Sequence, residues 1–289
     1  MKKHTRESLA QDYSKMGLER GDIVLVRSAL SAIGHTNLQN KSDHINAILD
    51  AIGDEGTLVG LAFSKSFALI IGNPPKEFTF DDTVPAITGG FANLMLQHPG
   101  RQRSRHPTNS FVAIGRHAAD ILEGHDETSH SYYPMEKLIG LDAKMLLVGC
   151  TETSPGFTTA HLAEYNLGLL KKIKFPWIHR VFYKKDGMLK LFKRTEIGGD
   201  SKTFYKFYPL YREQNLLKVG HVGDAESYLI KCREAYDIEY ARLKNDPKFC
   251  ICDDKDCFVC CGRNTDNIRN WPQFYARRGG KVIKKLLNI

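Results

Sequence analysis

The sequence predicts an α/β fold: a single domain with a central mixed sheet flanked by helices, followed by a Cys-rich C-terminal extension. Short β-branched runs alternate with stretches of helical spacing, the order that βαβ units give in a parallel or mixed sheet. The chain has 289 residues, 42% hydrophobic and 26% charged, enough apolar material for one large core. We read residues 1–248 as that domain and 249–289 as the extension, with no internal repeat and no clean linker.

The first strand is Gly21-Asp22-Ile23-Val24-Leu25-Val26-Arg27, and it runs into a turn of small residues from Ser28 to Gly34. Ile45, Ile48, Leu49 and Ile52 then keep the spacing of one helix face. Past the turn residues Gly53 to Glu55, Gly56 to Phe63 reads as a second strand, reached by a right-handed crossover. Phe67 to Thr88 holds Gly72, Pro74, Pro75 and Pro85, so a loop over a binding face is expected there. Ile87 to Leu96 reads as a helix, and Ser110 to Ile114 and Lys144 to Gly149 as further strands. The last of these leads to a helix that Thr158 or Thr159 can cap. Trp177 to Ile197 alternates as a hairpin about Lys185-Asp186-Gly187. Ala225, Tyr228, Leu229, Cys232 and Tyr236 keep near-helical spacing up to Leu243, and Asp246-Pro247 stops that helix. Trp177 and Trp271 read as packing residues.

Met1 to Glu7 carries charge with no apolar run behind it, and no stretch reaches the roughly 18 to 20 apolar residues of a spanning helix. A cytoplasmic location without a membrane partner is expected. Lys and Arg exceed Asp and Glu by 41 to 33, a formal charge of +8 that favours an anionic partner. No nucleic-acid-binding signature accompanies that charge, so nucleic acid is not an expected partner and a phosphorylated cofactor fits as well. Plain solvation of the surface is the alternative.

Three groups of residues carry chemistry. His161 and Glu164, three apart, share a helix face, where the carboxylate can fix the tautomer of the imidazole and raise its basicity. This spacing also arises by chance on many helices. The turn from Ser28 to Gly34 leaves backbone N–H groups open at a strand's carboxyl end and can bind phosphate, although it lacks the P-loop order and serves equally as an ordinary βα turn. Five of seven cysteines crowd between Cys250 and Cys261. Cys250, Cys252, Cys257 and Cys260 supply as many ligands as a tetrahedral zinc site needs, but Asp253, Asp254 and Asp256 intervene and the spacing is not that of paired knuckles. Reduced surface thiols are the alternative to zinc.

The segments Gly21 to Gly34, Gly56-Thr57-Leu58-Val59, Arg103-Ser104-Arg105-His106-Pro107-Thr108-Asn109-Ser110-Phe111 and Thr158-Thr159-Ala160-His161-Leu162-Ala163-Glu164-Tyr165 occur in one order. Together they resemble the aminoglycoside 3-N-acetyltransferase family over residues 17–245. The resemblance implies an antibiotic N-acetyltransferase-like fold and direct transfer of acetyl from acetyl-CoA, as co-substrate, to an amine. It implies His161 as the general base with Glu164 as its partner. It places the cofactor along the loop Ser28 to Gly34, through Ser28, Ala29, Leu30, Ser31 and Gly34, with Ser104, His106 and Ser110 lining its path. Donors at Thr158 or Thr159 would serve the oxyanion, and Asp81 would face a cationic acceptor unless it is simply solvated. His106 reads equally as a structural histidine before a turn proline.

Two positions depart from the family pattern. Arg27 stands where the family commonly has histidine, and it cannot act as a base near neutrality. Its guanidinium is read as reaching a phosphate or an anionic acceptor group, or else as turned to solvent or to a carboxylate. Leu61-Ala62-Phe63 replaces a Met-Pro-Thr. The acceptor implied is a small-molecule amine on an aminoglycoside, with an amino sugar or sugar nucleotide as the rival suggested by the positive charge. A non-catalytic zinc- or nucleic-acid-binding protein is the rival from another class. Assembly as a homodimer stays open.

Overall fold

The computed structural model describes residues 3–69, 71–170, 176–196, 200–254, 257, 259 and 260. In chain order the elements are α1 (Arg6–Lys15), β1 (Ile23–Ser28), α2 (Asp43–Ile52), β2 (Thr57–Leu61), β3 (Phe67–Ala68), α3 (Gly90–Gln97), β4 (Arg101–Arg103), β5 (Phe111–Gly115) and α4 (Ala118–Leu122). They continue with α5 (Tyr133–Gly140), β6 (Lys144–Val148), α6 (Thr159–Asn166), β7 (His179–Lys185), β8 (Met188–Lys193), α7 (Tyr208–Glu213), β9 (Lys218–Val222), β10 (Ala225–Lys231) and α8 (Cys232–Asn245).

Strands β2, β1 and β6 run parallel at the heart of a seven-stranded sheet of order β4-β5-β2-β1-β6-β10-β9. Both flanks are antiparallel, which makes the sheet mixed. A parallel centre must be covered on both faces, so its strands read as unbroken apolar runs. Val24, Val26, Leu58, Leu146 and Val148 face one way, under Leu9 of α1, Ile45 and Ile48 of α2, and Phe91 and Met95 of α3. Leu25, Val59, Met145 and Leu147 face the other, against Ile121 of α4, Met135 and Leu138 of α5, Ala160 and Ala163 of α6, and Ala235 and Leu243 of α8. The helices thus sandwich the sheet in three layers. A second, antiparallel sheet has the order β3-β7-β8. Its hairpin turns where the sequence places it, with Asp186 and Gly187 both at positive φ, 53° and 73°.

Four expectations need correction. Ala225 to Lys231 is a strand rather than the start of a helix: it lies between β6 and β9, hydrogen-bonded to both, and the helix begins only at Cys232. A tight turn at Gly223-Asp224 makes β9 and β10 a hairpin, and periodicity alone does not separate such a buried strand from a helix. The stretch from Phe67 to Thr88 is not all loop, since Phe67–Ala68 pairs with β7. Thr158 sits at the N-cap of α6 without a side-chain capping bond. Trp177 is 46% exposed, with the Arg180 guanidinium 6.0 Å from its ring centroid, so it is not a core residue.

Phe249 and Cys250 pack onto the body, the former with its ring 5.0 Å from that of Phe207. The rest of the chain beyond residue 260, including Cys261 and Trp271, lies outside the described residues. No helix among the described residues is long and apolar enough to cross a membrane.

The two sheets differ in how much they bury. Leu146→Ala, at a fully buried central position, is expected to cost about 2–5 kcal/mol in denaturant unfolding, whereas Leu189→Ala on the exposed hairpin should stay within about 0.5 kcal/mol. Equal losses at the two positions would contradict this layering.

Candidate active site

The sheet extends in both directions from β1, with parallel β2 on one side and parallel β6 on the other. Loops leaving such strands diverge and open a crevice at their carboxyl ends. A cleft of about 710 Å³ lies there. Val26 to Ser31 line it from β1, Leu61 and Phe63 from β2, and Cys150, Ser154, Phe157 and Thr158 from the loop after β6. Residues Ile87 to Ala92 at the start of α3, together with His161, Ser201 and Phe204, complete the wall.

His161 is in the first turn of α6, its ring stacked on Tyr132 at 4.9 Å and tilted against Phe204 at 4.7 Å. Its Nδ1 lies 3.3 Å from Oε2 of Glu164, which is fully buried three residues along. A carboxylate partner at Nδ1 assigns the ring proton there and leaves Nε2 as the nitrogen for a ligand. Behind this pair, Glu239 of α8 is fully buried and accepts a hydrogen bond from the Tyr211 hydroxyl at 2.5 Å. Burial pushes the Glu239 carboxyl up to about 8, and the neighbouring Glu164 adds to the rise.

The loop that carries the chain from β6 to α6 is held from two sides. Arg27, the penultimate residue of β1, donates from Nη1 to the Gly156 carbonyl at 2.8 Å and from Nη2 to the Ser154 carbonyl at 2.9 Å, with a further bond to the Ser154 hydroxyl. From the other side the Tyr208 hydroxyl donates to the Thr151 carbonyl at 2.9 Å and accepts from the Gly156 N–H at 2.8 Å. Burial lifts that phenol to about 12. Gly156 itself has φ 79°, and a Cβ there would stand 2.1 Å from Cβ of Phe204, so only glycine lets the loop approach the wall.

Two hydroxyls in the cleft wall, Ser28 Oγ and Thr158 Oγ1, are buried without a hydrogen-bond partner among the described residues. Buried polar groups are ordinarily satisfied, which sets these two apart from the rest of the wall. The side chain of Thr159, by contrast, turns into the core, with Oγ1 3.9 Å from the Met145 sulfur.

The sequence-expected residues divide accordingly. Arg27, Ser28, Ala29, Leu30, Ser31, Thr158 and His161 meet around one cleft, with Glu164 directly behind. Gly34 does not line it: at φ 91° it closes the turn, and a Cβ there would collide with Asp224. Arg27 is half-buried and borders the cleft, with two of its guanidinium nitrogens engaged by loop carbonyls rather than by a carboxylate.

Ser104, His106 and Ser110 also stand outside the cleft lining, buried in a knot between the edge strands. Ser104 Oγ bonds the Phe111 N–H and His125 Nδ1, Ser110 Oγ donates to the Ala62 carbonyl, and His106 stacks on His125 at 4.9 Å. Burial lowers His106 to about 3 and His125 to about 2, so both rings are neutral packing groups near neutrality. Asp81 lines a different cavity, where it pairs with Lys184 at 3.0 Å and accepts from Thr83. Tyr132, Phe157, Phe204 and Tyr208 carry no local signature in the sequence. They reach the site through long-range packing, which spacing does not reveal.

An α/β body with a ligand cleft at the carboxyl end of its central strand, and a carboxylate-supported histidine in the wall, defines an enzyme rather than a binding scaffold. Comparison with known proteins identifies which kind. The family model for aminoglycoside 3-N-acetyltransferase matches residues 25–244, and the chain belongs to that family. It is 30% identical over 263 residues to the SPbeta prophage-derived aminoglycoside N(3')-acetyltransferase-like protein YokD of Bacillus subtilis, covering 84% of this chain and 94% of that one. The crystal structure of YokD superposes with a TM-score of 0.70 over 86% of this chain and 96% of that one, at 28% identity. Aminoglycoside N(3)-acetyltransferase III of Salmonella sp. is 27% identical over 80% of this chain and 88% of its own length. The fold is also that of AAC-IIIb in its binary complex with CoASH, with a TM-score of 0.69 at 24% identity over 84% of this chain and 97% of that one.

Glu239 gives a pH test of the packing behind the pair. Its carboxyl titrates near 4.5 when unfolded and at about 8 when folded, so the folded state binds the proton more tightly. The stability tied to this group is therefore complete below about pH 4.5, declines as pH rises and is lost above about pH 8. In urea titrations from about pH 5 to 9, the stability of the wild type relative to Glu239→Gln should fall with rising pH; a constant difference would place Glu239 in a solvated site.

Proposed function

We propose that this chain is an acetyl-CoA-dependent N-acetyltransferase that acylates an amino group of an aminoglycoside, at the 3-N position, by direct transfer with His161 as general base. The observation that carries the reading is the His161–Glu164 pair in the wall of a cleft that also presents two unpartnered hydroxyls. Membership of the family supports the acceptor class, and the relative in complex with CoASH supports the acyl donor.

The residues fit such a co-substrate. The turn from Ser28 to Ser31 borders a cleft about 710 Å³ in volume, and Ser28 Oγ is free to donate there. When bound, acetyl-CoA supplies an activated acyl thioester, whose acyl carbon leaves sulfur for the acceptor nitrogen. His161 Nε2 takes the proton that the amine must lose, and Glu164 holds the resulting imidazolium by charge and orientation. The unpartnered Thr158 Oγ1 is available to donate to the oxygen on which negative charge develops. Tyr132 and Phe204 fix the imidazole plane, so the base does not have to be ordered at the moment of transfer.

His161→Ala is expected to lower kcat by a factor on the order of 10² to 10⁴ while coenzyme A affinity is unchanged. Glu164→Gln should lose less and shift the pH–rate profile, because it alters the imidazole without deleting it. Wild-type turnover in His161→Ala would remove the residue from the mechanism. The acceptor is read separately, by coenzyme A release from a panel of aminoglycosides and nucleotide-linked amino sugars. Turnover confined to the latter would overturn the aminoglycoside assignment and keep the chemistry.

A further inference from the structure

The cysteine segment comes together with a residue from a distant part of the chain. Asp200, Cys252, Cys257 and Cys260 each offer one donor atom, and all four atoms lie within 4.8 Å of one another. Asp200 Oδ2 is 3.1 Å from the Cys257 sulfur and 3.8 Å from the Cys260 sulfur. The Cys252 N–H points at the Cys260 sulfur at 3.3 Å, the kind of amide bond that stabilises a ligating thiolate. Around a tetrahedral zinc, bonds of about 2.0–2.3 Å place donor atoms roughly 3.3–3.8 Å apart, so shifts on the order of 1 Å close this shell.

We propose that Asp200, Cys252, Cys257 and Cys260 form a structural zinc site that fastens the Cys-rich segment to the wall of the catalytic cleft. Three sulfurs and one oxygen suit a borderline-soft, tetrahedral divalent ion far better than magnesium or calcium, which take oxygen shells. Four protein ligands with Cys257 and Cys260 buried make the shell closed, which is the structural kind of site. This set differs from the four-cysteine set that sequence spacing suggests. Cys250 is instead buried in the body, where its carbonyl accepts from Thr203 Oγ1 at 2.8 Å, and Asp200 takes the fourth place.

The site bears on the cleft because Asp200 leads directly into the cleft wall. Ser201 and Phe204 line the cleft, and the Phe204 ring packs on His161 at 4.7 Å. Lys206 Nζ donates to the Phe249 carbonyl at 3.2 Å and the Ile251 carbonyl at 3.4 Å, and Lys202 Nζ pairs with Asp254 at 3.2 Å, so residues 202–206 already meet the Cys-rich segment beside Asp200 and its three thiols. A bound dication would take the three thiols as thiolates and fix Asp200, and with it the start of the cleft wall, to Cys252, Cys257 and Cys260.

The test uses the full chain purified under reducing conditions without chelator, then dialysed with zinc. Plasma mass spectrometry should find about one zinc per chain, and X-ray absorption should show three sulfurs at about 2.3 Å with one oxygen at about 2.0–2.2 Å. Cobalt should substitute with the intense visible bands of a tetrahedral thiolate site. Cys257→Ser and Asp200→Ala should each weaken zinc binding roughly tenfold or more, while Cys250→Ser should keep it. Less than about a tenth of an equivalent of zinc on the wild-type chain would overturn the proposal. So would a metal-free wild type whose thiols are joined in a disulfide, or zinc retained by Asp200→Ala and lost from Cys250→Ser. The X-ray absorption reading on the unmutated chain decides the ligand set even where a variant fails to fold.

Discussion

The site depends on one guanidinium. Arg27 stands at the carboxyl end of the central strand and joins it to two carbonyls of the loop that delivers α6. Those carbonyls belong to residues outside any strand or helix, so no ladder bond is available to them, and the buried one, at Gly156, would be costly to leave unpaired. A charged, planar donor engages both at once, which a neutral or shorter side chain could not do. The position of His161 depends on this contact, because α6 begins a few residues after the clamped segment. Arg27 thereby holds the loop that leads into α6 and His161.

The cleft also arises from the topology. With parallel neighbours on both sides of β1, the small-residue turn after β1 and the loop after β6 must separate, and the space between them is open only at that end. Apolar cover on both sheet faces keeps the strand ends from shifting, and Ser28 and Thr158, whose hydroxyls are buried without a partner among the described residues, stand in the wall of that space. Behind the His161–Glu164 pair a second buried carboxyl, Glu239, remains protonated near neutrality. The carboxyl group in contact with the imidazole is that of Glu164.

Much of this was legible in the sequence because its signals are local. The runs Ile23 to Val26 and Met145 to Val148 declare buried parallel strands, and Asp186-Gly187 declares a hairpin turn. The spacing of His161 and Glu164 already sets them on one face. Apart from the missing cap at Thr158 and the exposure of Trp177, the departures are long-range. Ala225 to Lys231 has helix-compatible spacing, and only its two neighbouring strands make it a strand. Ser104, His106 and Ser110 match a motif, yet their bonds to Phe111, His125 and Ala62 turn them into a strand-edge knot. Asp200 lies 52 residues before Cys252, the fourfold grouping existing only in the fold. The embrace of the Ser154 to Gly156 loop by Arg27 spans a wider gulf in sequence and is invisible to spacing or periodicity.

The measurement that bears most directly on this account is amide hydrogen exchange over residues 151–158 in Arg27→Met, compared with the wild type. If the guanidinium holds the loop, exchange across this segment accelerates, most of all at the Gly156 N–H that now bonds to Tyr208, while strands β1 and β6 keep their protection. Protection in the loop that is unchanged by the substitution would contradict it, and would show that the wall of the cleft is set by packing without Arg27.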